Sequence, residues 1–300
     1  MQVQRVGVVG LGSMGLGVAR SLLRGGFETH VCDVRPEIVR QLETEGAKGH
    51  AEPRALAPQV DALILLVVNA DQVDAVLFGE AGAAAALAPG SVVIASTTVS
   101  PAFAETLGTR LAALGLRMID APVSGGAAKA ATGEMSVMGS GPDDAFADCA
   151  DLFAAIAAKL YRLGDRPGQG STVKMVNQLL AGVHIAAAAE AMALGIRAGA
   201  DPATLYEVIC ASAGGSWMFQ NRVPHILKGD YTPLSAVNIF VKDLGIVLDQ
   251  ARALTFPLPL AAAAHQLFLA AAAHGEGTKD DAFVIRVWQA LTGIALPPAK

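Results

Sequence analysis

Apolar positions fall into two regimes along this chain. Up to about residue 164, short apolar or β-branched runs alternate with stretches of helical spacing. Arg5 to Val9 is the first run, and His30 to Asp33 closes a second. Asp61 to Val68 is almost continuously apolar, Ser91 to Ala95 and Arg117 to Asp120 follow, and Gly133 to Gly139 reads as one more strand. Strands apolar on both faces belong in a parallel sheet covered by helices. The alternation therefore predicts βαβ units over residues 1–164. After Gly164-Asp165-Arg166-Pro167 the strand signal stops. Ala-rich helical stretches take over, punctuated by Asp201-Pro202, Gly214-Gly215-Ser216 and Gly229-Asp230. An all-helical second domain is expected over residues 165–300, entered through one long helix.

That helix is announced by Gly168-Gln169-Gly170-Ser171-Thr172-Val173-Lys174-Met175-Val176-Asn177-Gln178. The glycines allow a bend or a close approach, and Ser171 or Thr172 is expected to cap the helix. The run beyond is apolar nearly all round, as in a buried helix. Yet Lys174, Asn177 and Gln178 share one face of its first turns. Lysine alone reads as a solvated first turn; the two amides beside it raise a site to comparable weight.

The strand at Arg5–Val9 runs straight into Gly10-Leu11-Gly12-Ser13-Met14-Gly15, then a helical pattern, a second strand and Asp33. A lone Gly-x-Gly-x-x-Gly is a weak signal, but this one sits in the strand–turn–helix setting it needs. Gly10 suits the tight turn, Gly12 a close approach to a pyrophosphate at the helix N-terminus, and Gly15 tight helix–strand packing. Asp33 stands about where an acid bonds the adenosine ribose. The predicted fold is thus a Rossmann-type α/β domain followed by an all-α domain, with NAD favoured over NADP because a carboxylate repels a 2′-phosphate. Arg35 weakens that preference. Val68, Asn69 and Asp71 lie at one strand's carboxyl end and Ser96, Thr97 and Thr98 at another's, where ligands bind in such sheets. The hydroxyls either line a cofactor cleft or cap the helix that starts near Pro101.

Composition narrows the function classes. A net charge of −5 argues against a broad nucleic-acid footprint. Cys32, Cys149 and Cys210 are isolated, and the six histidines form no ligand spacing, so no metal site is expected. Scarce, unpaired cysteines point to reduced thiols and the cytoplasm. The N-terminus lacks the pattern of a signal peptide. Ala253 to Gly275 has a membrane span's length, but Pro257, Pro259, His265, Gln266 and His274 interrupt it. It reads as a packed helix rather than a span.

A nicotinamide cofactor brings hydride chemistry, leaving orientation and electrostatics to the protein. Oxidising an alcohol also requires removal of its hydroxyl proton. Lys174 is the best-placed group, since burial and cationic neighbours bring a lysine from about 10.4 towards roughly 7–8. Its ammonium also stabilises a developing alkoxide, and Asn177 or Gln178 can hold the hydroxyl. Ser124-Gly125-Gly126, following a strand, suits a nest of N–H donors for a carboxylate. The substrate then reads as a small hydroxy acid. Lys242-Asp243 faces the cofactor or forms an ordinary ion pair. Trp217, Phe219 and Phe240 shape a pocket or belong to the core, and Asn221 and Arg222 are weaker candidates for substrate contact.

Together these motifs resemble the β-hydroxyacid dehydrogenase family, typified by 3-hydroxyisobutyrate dehydrogenase, over nearly the whole chain. Gly10–Gly15 resembles its cofactor signature, Asp120–Gly126 its substrate signature, Gly168–Gln178 its catalytic signature, and Lys242-Asp243-Leu244 a downstream block. The resemblance implies a catalytic Lys174, cofactor contacts from Thr98 and Lys242, a substrate carboxylate held by Ser124, Gly125 and Gly126, and homo-oligomers formed through the helical domain. Many members carry Asn-Asn where this chain has Asn177-Gln178, and Leu-Pro where it has Val67-Val68. Ser216–His225, Gly229–Pro233 and Phe240–Ile246 are most similar to members that oxidise a four-carbon sugar acid. Reduction of tartronate semialdehyde or oxidation of 3-hydroxyisobutyrate are the nearest alternatives. A non-catalytic dinucleotide-binding module is the alternative of a different class, and Lys174 with its amides argues against it.

Overall fold

The computed structural model describes residues 2–299. The chain divides into two compact units, Met1–Lys174 and Met175–Lys300.

In the first unit, strands β1 (Arg5–Val9), β2 (Glu28–Cys32), β3 (Lys48–Gly49), β4 (Ala62–Leu65), β5 (Val92–Ala95) and β6 (Arg117–Asp120) form one parallel sheet in the order 3-2-1-4-5-6. This is the doubly wound order whose strand sequence reverses beside β1. Helices α1 (Ser13–Arg24), α2 (Pro36–Thr44), α3 (Pro53–Leu56), α4 (Ala70–Phe78) and α5 (Pro101–Ala112) connect the strands. Alternate residues feed two cores. Val6, Val8, Ile64 and Ile94 pack with Val18 and Leu22 of α1, while Val9, Leu63, Leu65 and Val93 pack with Leu77, Leu107 and Leu111.

The sheet does not continue past β6. Strands β7 (Val123–Ser124), β8 (Met135–Gly139) and β9 (Ala157–Arg162) form a separate sheet, β7 antiparallel to β8 and β8 parallel to β9. Helices α6 (Gly126–Thr132), α7 (Asp143–Asp148) and α8 (Ala150–Ile156) lie between them. The strand at Met135–Gly139 was legible in sequence; its sheet was not, because a Gly-rich turn leaves pairing direction open.

The second unit is helical. It takes most of α9 (Gln169–Arg197), then α10 (Pro202–Cys210), α11 (Trp217–Lys228), α12 (Val237–Ala253), α13 (Pro259–Ala271) and α14 (Ile285–Thr292). Ile185, Ala189 and Met192 of α9 share a core with Phe219, Val223, Phe240, Leu244 and Phe268. Phe240 stacks on Phe268 with centroids 5.1 Å apart. Phe219 and Phe240 are thus core residues, whereas Trp217 is exposed. Among the described residues, α9 is the one helix long and apolar enough to cross a membrane by length and composition. The run at Ala253–Gly275 is instead broken by a turn at Thr255, whose φ is +53°.

Candidate active site

The Gly-rich turn after β1 has the geometry of a phosphate cradle. Gly10 has φ +93°, and a Cβ there would lie 2.7 Å from the carbonyl oxygen of Leu66. A Cβ on Gly15 would run into the carbonyl oxygen of Gly10, so helix and turn close only with glycine. At Gly12, the N-cap of α1, a Cβ would meet nothing within 4 Å. The first turn of α1 carries no acid, so its N–H groups and dipole favour an anion. Leu11 is buried, Ser13 exposed and Met14 half-buried around that turn. Gly10 and Gly15 are thus required by packing, Gly12 leaves the helix start open, and the residues present fit a dinucleotide pyrophosphate.

Asp33 follows β2 and lies beside the cradle. Its carboxylate accepts from the Leu11 N–H at 2.6 Å and from the Arg35 N–H at 2.9 Å, with the Arg35 guanidinium at 3.0 Å. Burial pushes this carboxyl up, but Arg35 and the two backbone donors outweigh burial and hold it below the ordinary range. Arg35 is 47% exposed, with its guanidinium turned onto the Asp33 carboxylate.

At the carboxyl end of β4, Val68 is exposed and Asn69 N-caps α4, accepting from Gln72 N–H at 2.9 Å. Ser96 and Thr97 are buried after β5, and Thr98 is half-buried. They do not cap the next helix. Ser100 does, accepting from Phe103 N–H at 3.2 Å. Capping goes to the residue adjacent to the first helical position, here Pro101.

Past β6 the chain bends through Ala121-Pro122 into Ser124, Gly125 and Gly126. Gly125 has φ +133° and Gly126 φ +69°. A Cβ at Gly126 would meet nothing within 4 Å. At Gly125, by contrast, a Cβ would lie 2.8 Å from the Lys129 side chain, so the turn is open at Gly126 and lined by Lys129 at Gly125, with the half-buried Ser124 beside it. This loop is tied to the cofactor cradle. A Cβ on Gly17 of α1 would lie 2.7 Å from the backbone of Ala130 in α6. Ser21 Oγ donates to the Ala130 carbonyl at 3.0 Å and Arg24 to that of Ala131 at 2.5 Å.

The start of α9 departs from the sequence expectation. The helix begins at Gln169, so Ser171 and Thr172 lie inside it rather than at its cap. Asp120, the last residue of β6, supplies the cap from 48 to 51 positions away. Its Oδ2 accepts from the N–H groups of Gly168 at 2.9 Å and Ser171 at 2.8 Å, and its Oδ1 accepts the Ser171 hydroxyl at 2.8 Å. Gly170 must be small because a Cβ would lie 2.8 Å from the Asp120 carbonyl oxygen. Burial pushes the Asp120 carboxyl up despite these donors. One carboxylate therefore joins the end of β6 to the helix that carries Lys174 one turn later. Lys174 is 7% exposed. A cap this far away in sequence leaves no local signal, so sequence reasoning missed it.

Further along α9, Asn177 is half-buried and Gln178 buried. Asn177 Nδ2 donates to Gln178 Oε1 at 3.0 Å, and Gln178 Nε2 donates to Asp243 Oδ2 at 2.5 Å. Lys242 Nζ pairs with Asp243 Oδ1 at 2.8 Å. Both ends of the Gln178 amide are therefore engaged by protein groups. Arg222, a weak substrate candidate by sequence, is buried, with its Nε 2.5 Å and one terminal nitrogen 3.1 Å from the two oxygens of Asp281. Asn221 bonds the same guanidinium. These two residues hold α11 to the segment before α14. Among the described residues no cluster of metal-ligating side chains occurs.

Comparison with known proteins agrees with this arrangement. Residues 5–164 match the model of the NAD binding domain of 6-phosphogluconate dehydrogenase. Residues 168–288 match that of the NAD-binding domain of NADP-dependent 3-hydroxyisobutyrate dehydrogenase. The chain is 62% identical to an L-threonate dehydrogenase of Cupriavidus necator, covering 98% of each chain. It is 53% identical to one from Escherichia coli, over 98% of this chain and 97% of the relative. A crystal structure of 3-hydroxyisobutyrate dehydrogenase from Salmonella typhimurium superposes with a TM-score of 0.90 at 54% identity, covering 94% of this chain and 99% of that one. With its glycine cradle, its nest after β6 and its lysine-bearing helix, the chain belongs to the β-hydroxyacid dehydrogenase family, as an NAD-dependent oxidoreductase of the 3-hydroxyisobutyrate dehydrogenase type.

Proposed function

We propose that this enzyme oxidises L-threonate at C2 to 2-dehydro-L-erythronate, a 2-oxo acid. The observation that carries this reading is a buried lysine on the first turns of α9, fixed to the end of β6 by Asp120. The choice of substrate leans on L-threonate dehydrogenases that share more than half of its residues.

When bound, NAD supplies the hydride acceptor for C2. Gly10, Leu11, Gly12, Ser13, Met14 and Gly15 would hold its phosphates, and Asp33 its ribose; Val68, Asn69, Thr98 and Lys242 are assigned to its remaining contacts. The protein supplies the rest. Ser124, Gly125 and Gly126 bind the substrate carboxylate through N–H and hydroxyl donors. Lys174 Nζ takes the C2 hydroxyl proton and stabilises the developing negative charge on oxygen. Asn177, whose amide has an end not turned towards Gln178, holds a hydroxyl in line. Gln178 serves as its support.

The same reading extends to the setting. Val176, Leu180 and Leu194 of α9 are 51%, 50% and 70% exposed, an apolar surface suited to a homo-oligomer, dimer or tetramer, formed through the helical unit. Cys32, Cys149 and Cys210 are free thiols, in keeping with a cytoplasmic enzyme of sugar-acid catabolism.

A panel of hydroxy acids read by absorbance of reduced cofactor tests the assignment. L-threonate is expected to give the highest kcat/KM. Turnover of 3-hydroxyisobutyrate, or reduction of tartronate semialdehyde, without turnover of L-threonate would overturn it.

A further inference from the structure

Amide side chains carry a direction: one end donates and the other accepts. Nothing in an isolated asparagine decides which end faces a ligand. Here the direction is decided two groups away. Asp243 is 2% exposed and paired with the Lys242 ammonium at 2.8 Å, so its carboxylate offers acceptors only. Gln178 must therefore turn its Nε2 towards Asp243, the 2.5 Å contact observed. That leaves Gln178 Oε1 as the group facing Asn177, and an oxygen there demands a donor. Asn177 must turn its Nδ2 inwards, the 3.0 Å contact observed. Its Oδ1 is left at the outer end of the chain of groups.

We propose that Asp243 is a positioning residue which, through Gln178, sets the Asn177 amide so that it presents an acceptor to a substrate hydroxyl other than the one whose proton goes to Lys174. The inference rests on the proposed role of Asn177 as a substrate contact. It adds a specificity rule. An acceptor oxygen selects for an O–H donor, so the site favours a hydroxy acid over its keto or deoxy analogue at that position. A reversed amide would present Nδ2 and lose this discrimination. The charge makes the order firm, because hydrogen bonds to an ionised acceptor are about twice as strong as neutral ones. Gln178 is the link because its longer side chain reaches across to α12 while its amide stays beside that of Asn177.

The test is a mutant cycle with three readouts: substrate kcat and KM, substrate affinity by calorimetry, and NAD affinity. Asp243→Asn can donate as well as accept, so it releases the constraint while keeping shape. Gln178→Met removes the link but leaves the Asp243–Lys242 pair. Each is expected to weaken hydroxy-acid binding and raise KM roughly tenfold, the loss of about one hydrogen bond. NAD affinity should hold for Gln178→Met. In an Asn177→Ala background, Asp243→Asn should change substrate affinity by less than about twofold, the limit for additive sites. Equal effects in both backgrounds would overturn the proposal. So would an Asp243→Asn variant with altered NAD affinity and unaltered KM, since Asp243 would then act through Lys242 alone. If Asp243→Asn fails to fold, Gln178→Met with and without Asn177→Ala decides the matter. A wild type inactive on every hydroxy acid would sink the functional reading; an active wild type with an additive cycle sinks only the relay.

Discussion

Two buried aspartates, one in each unit, show how differently the halves of this molecule are organised. Asp120 in the first unit is surrounded by neutral donors: two backbone N–H groups at the start of α9 and the hydroxyls of Ser171 and Ser140. Asp281 in the second is held by a guanidinium, that of Arg222. Burial dominates in both, pushing Asp281 up to about 6 and Asp120 upward as well. The neighbouring Asp280 goes the other way. Burial raises it too, but His225, the N–H groups of Leu234 and Ala282, and Arg222 outweigh burial.

The difference reflects what each unit must do. Around its ligands the first unit works with backbone: glycines for close approach, helix starts for anions, a carboxylate on N–H groups. Backbone donors of this kind are fixed dipoles that need no reorganisation when charge develops beside them. The second unit works with side chains: Arg222 with Asp281, and Asn177, Gln178 and Asp243 in series.

The sharpest way to break this contrast is at Lys174, the side chain that the backbone cap serves. Lys174→Ala should lower kcat by about 10²–10⁴-fold while the protein folds and binds NAD. Lys174→Arg should not restore turnover, because a guanidinium stays protonated and differs in shape. Near-normal kcat in folded Lys174→Ala would return this lysine to an ordinary helix residue.

Next in size is the ion pair of the second unit. Arg222→Met should destabilise by about 3–5 kcal/mol, because Asp281 is left buried without its partner. Arg222→Met with Asp281→Leu should recover most of that, as apolar replacement of a buried pair is often neutral. Denaturant unfolding of both variants measures it. A double variant as unstable as the single one would mean that the pair does more than satisfy its own charges.

The backbone nest predicts a smaller effect. Ser124→Ala removes one donor to the substrate carboxylate, a loss of roughly 1.5–3 kcal/mol. KM for the hydroxy acid should rise while NAD affinity stays fixed. A fall in cofactor affinity at constant KM would reassign the loop.

The smallest effect is expected at Asp61. Its carboxylate accepts from Arg5 N–H at 2.9 Å and from the Arg5 guanidinium at 2.6 Å. Burial pushes this carboxyl up, but Arg5 and the backbone N–H groups of Arg5 and Gln4 outweigh burial and hold it below the ordinary value. A depressed folded value means stability that is present above the unfolded value, near pH 3.9, and is lost as pH falls through the folded one. Asp61→Asn should therefore lower Tm slightly at neutral pH and flatten its fall below about pH 4. Because Arg5 is half-exposed, solvent screening keeps this small. An unchanged acid limb would assign acid sensitivity to other carboxylates.

The sequence by itself determined the parts whose physics is local. The run from Arg5 to Asp33 contains a strand, its turn, the helix and the acid within 29 residues, so the strand–turn–helix setting was legible from spacing. The switch to helices beyond Gly164 was legible from apolar periodicity, and Lys174, Asn177 and Gln178 were placed on one helix face by the helical repeat. Only the tertiary structure decided which groups those residues meet. Asp120 reaches Ser171 across 51 positions and Gln178 reaches Asp243 across 65. It also moved Arg222 from substrate candidate to core ion pair, and the cap of α9 from Ser171 or Thr172 to Asp120. The reason is the same each time. A side chain's type fixes what it can donate or accept, but its partner is set by which elements the core packs side by side, and hydrophobic packing carries no record of that in the residues next along the chain.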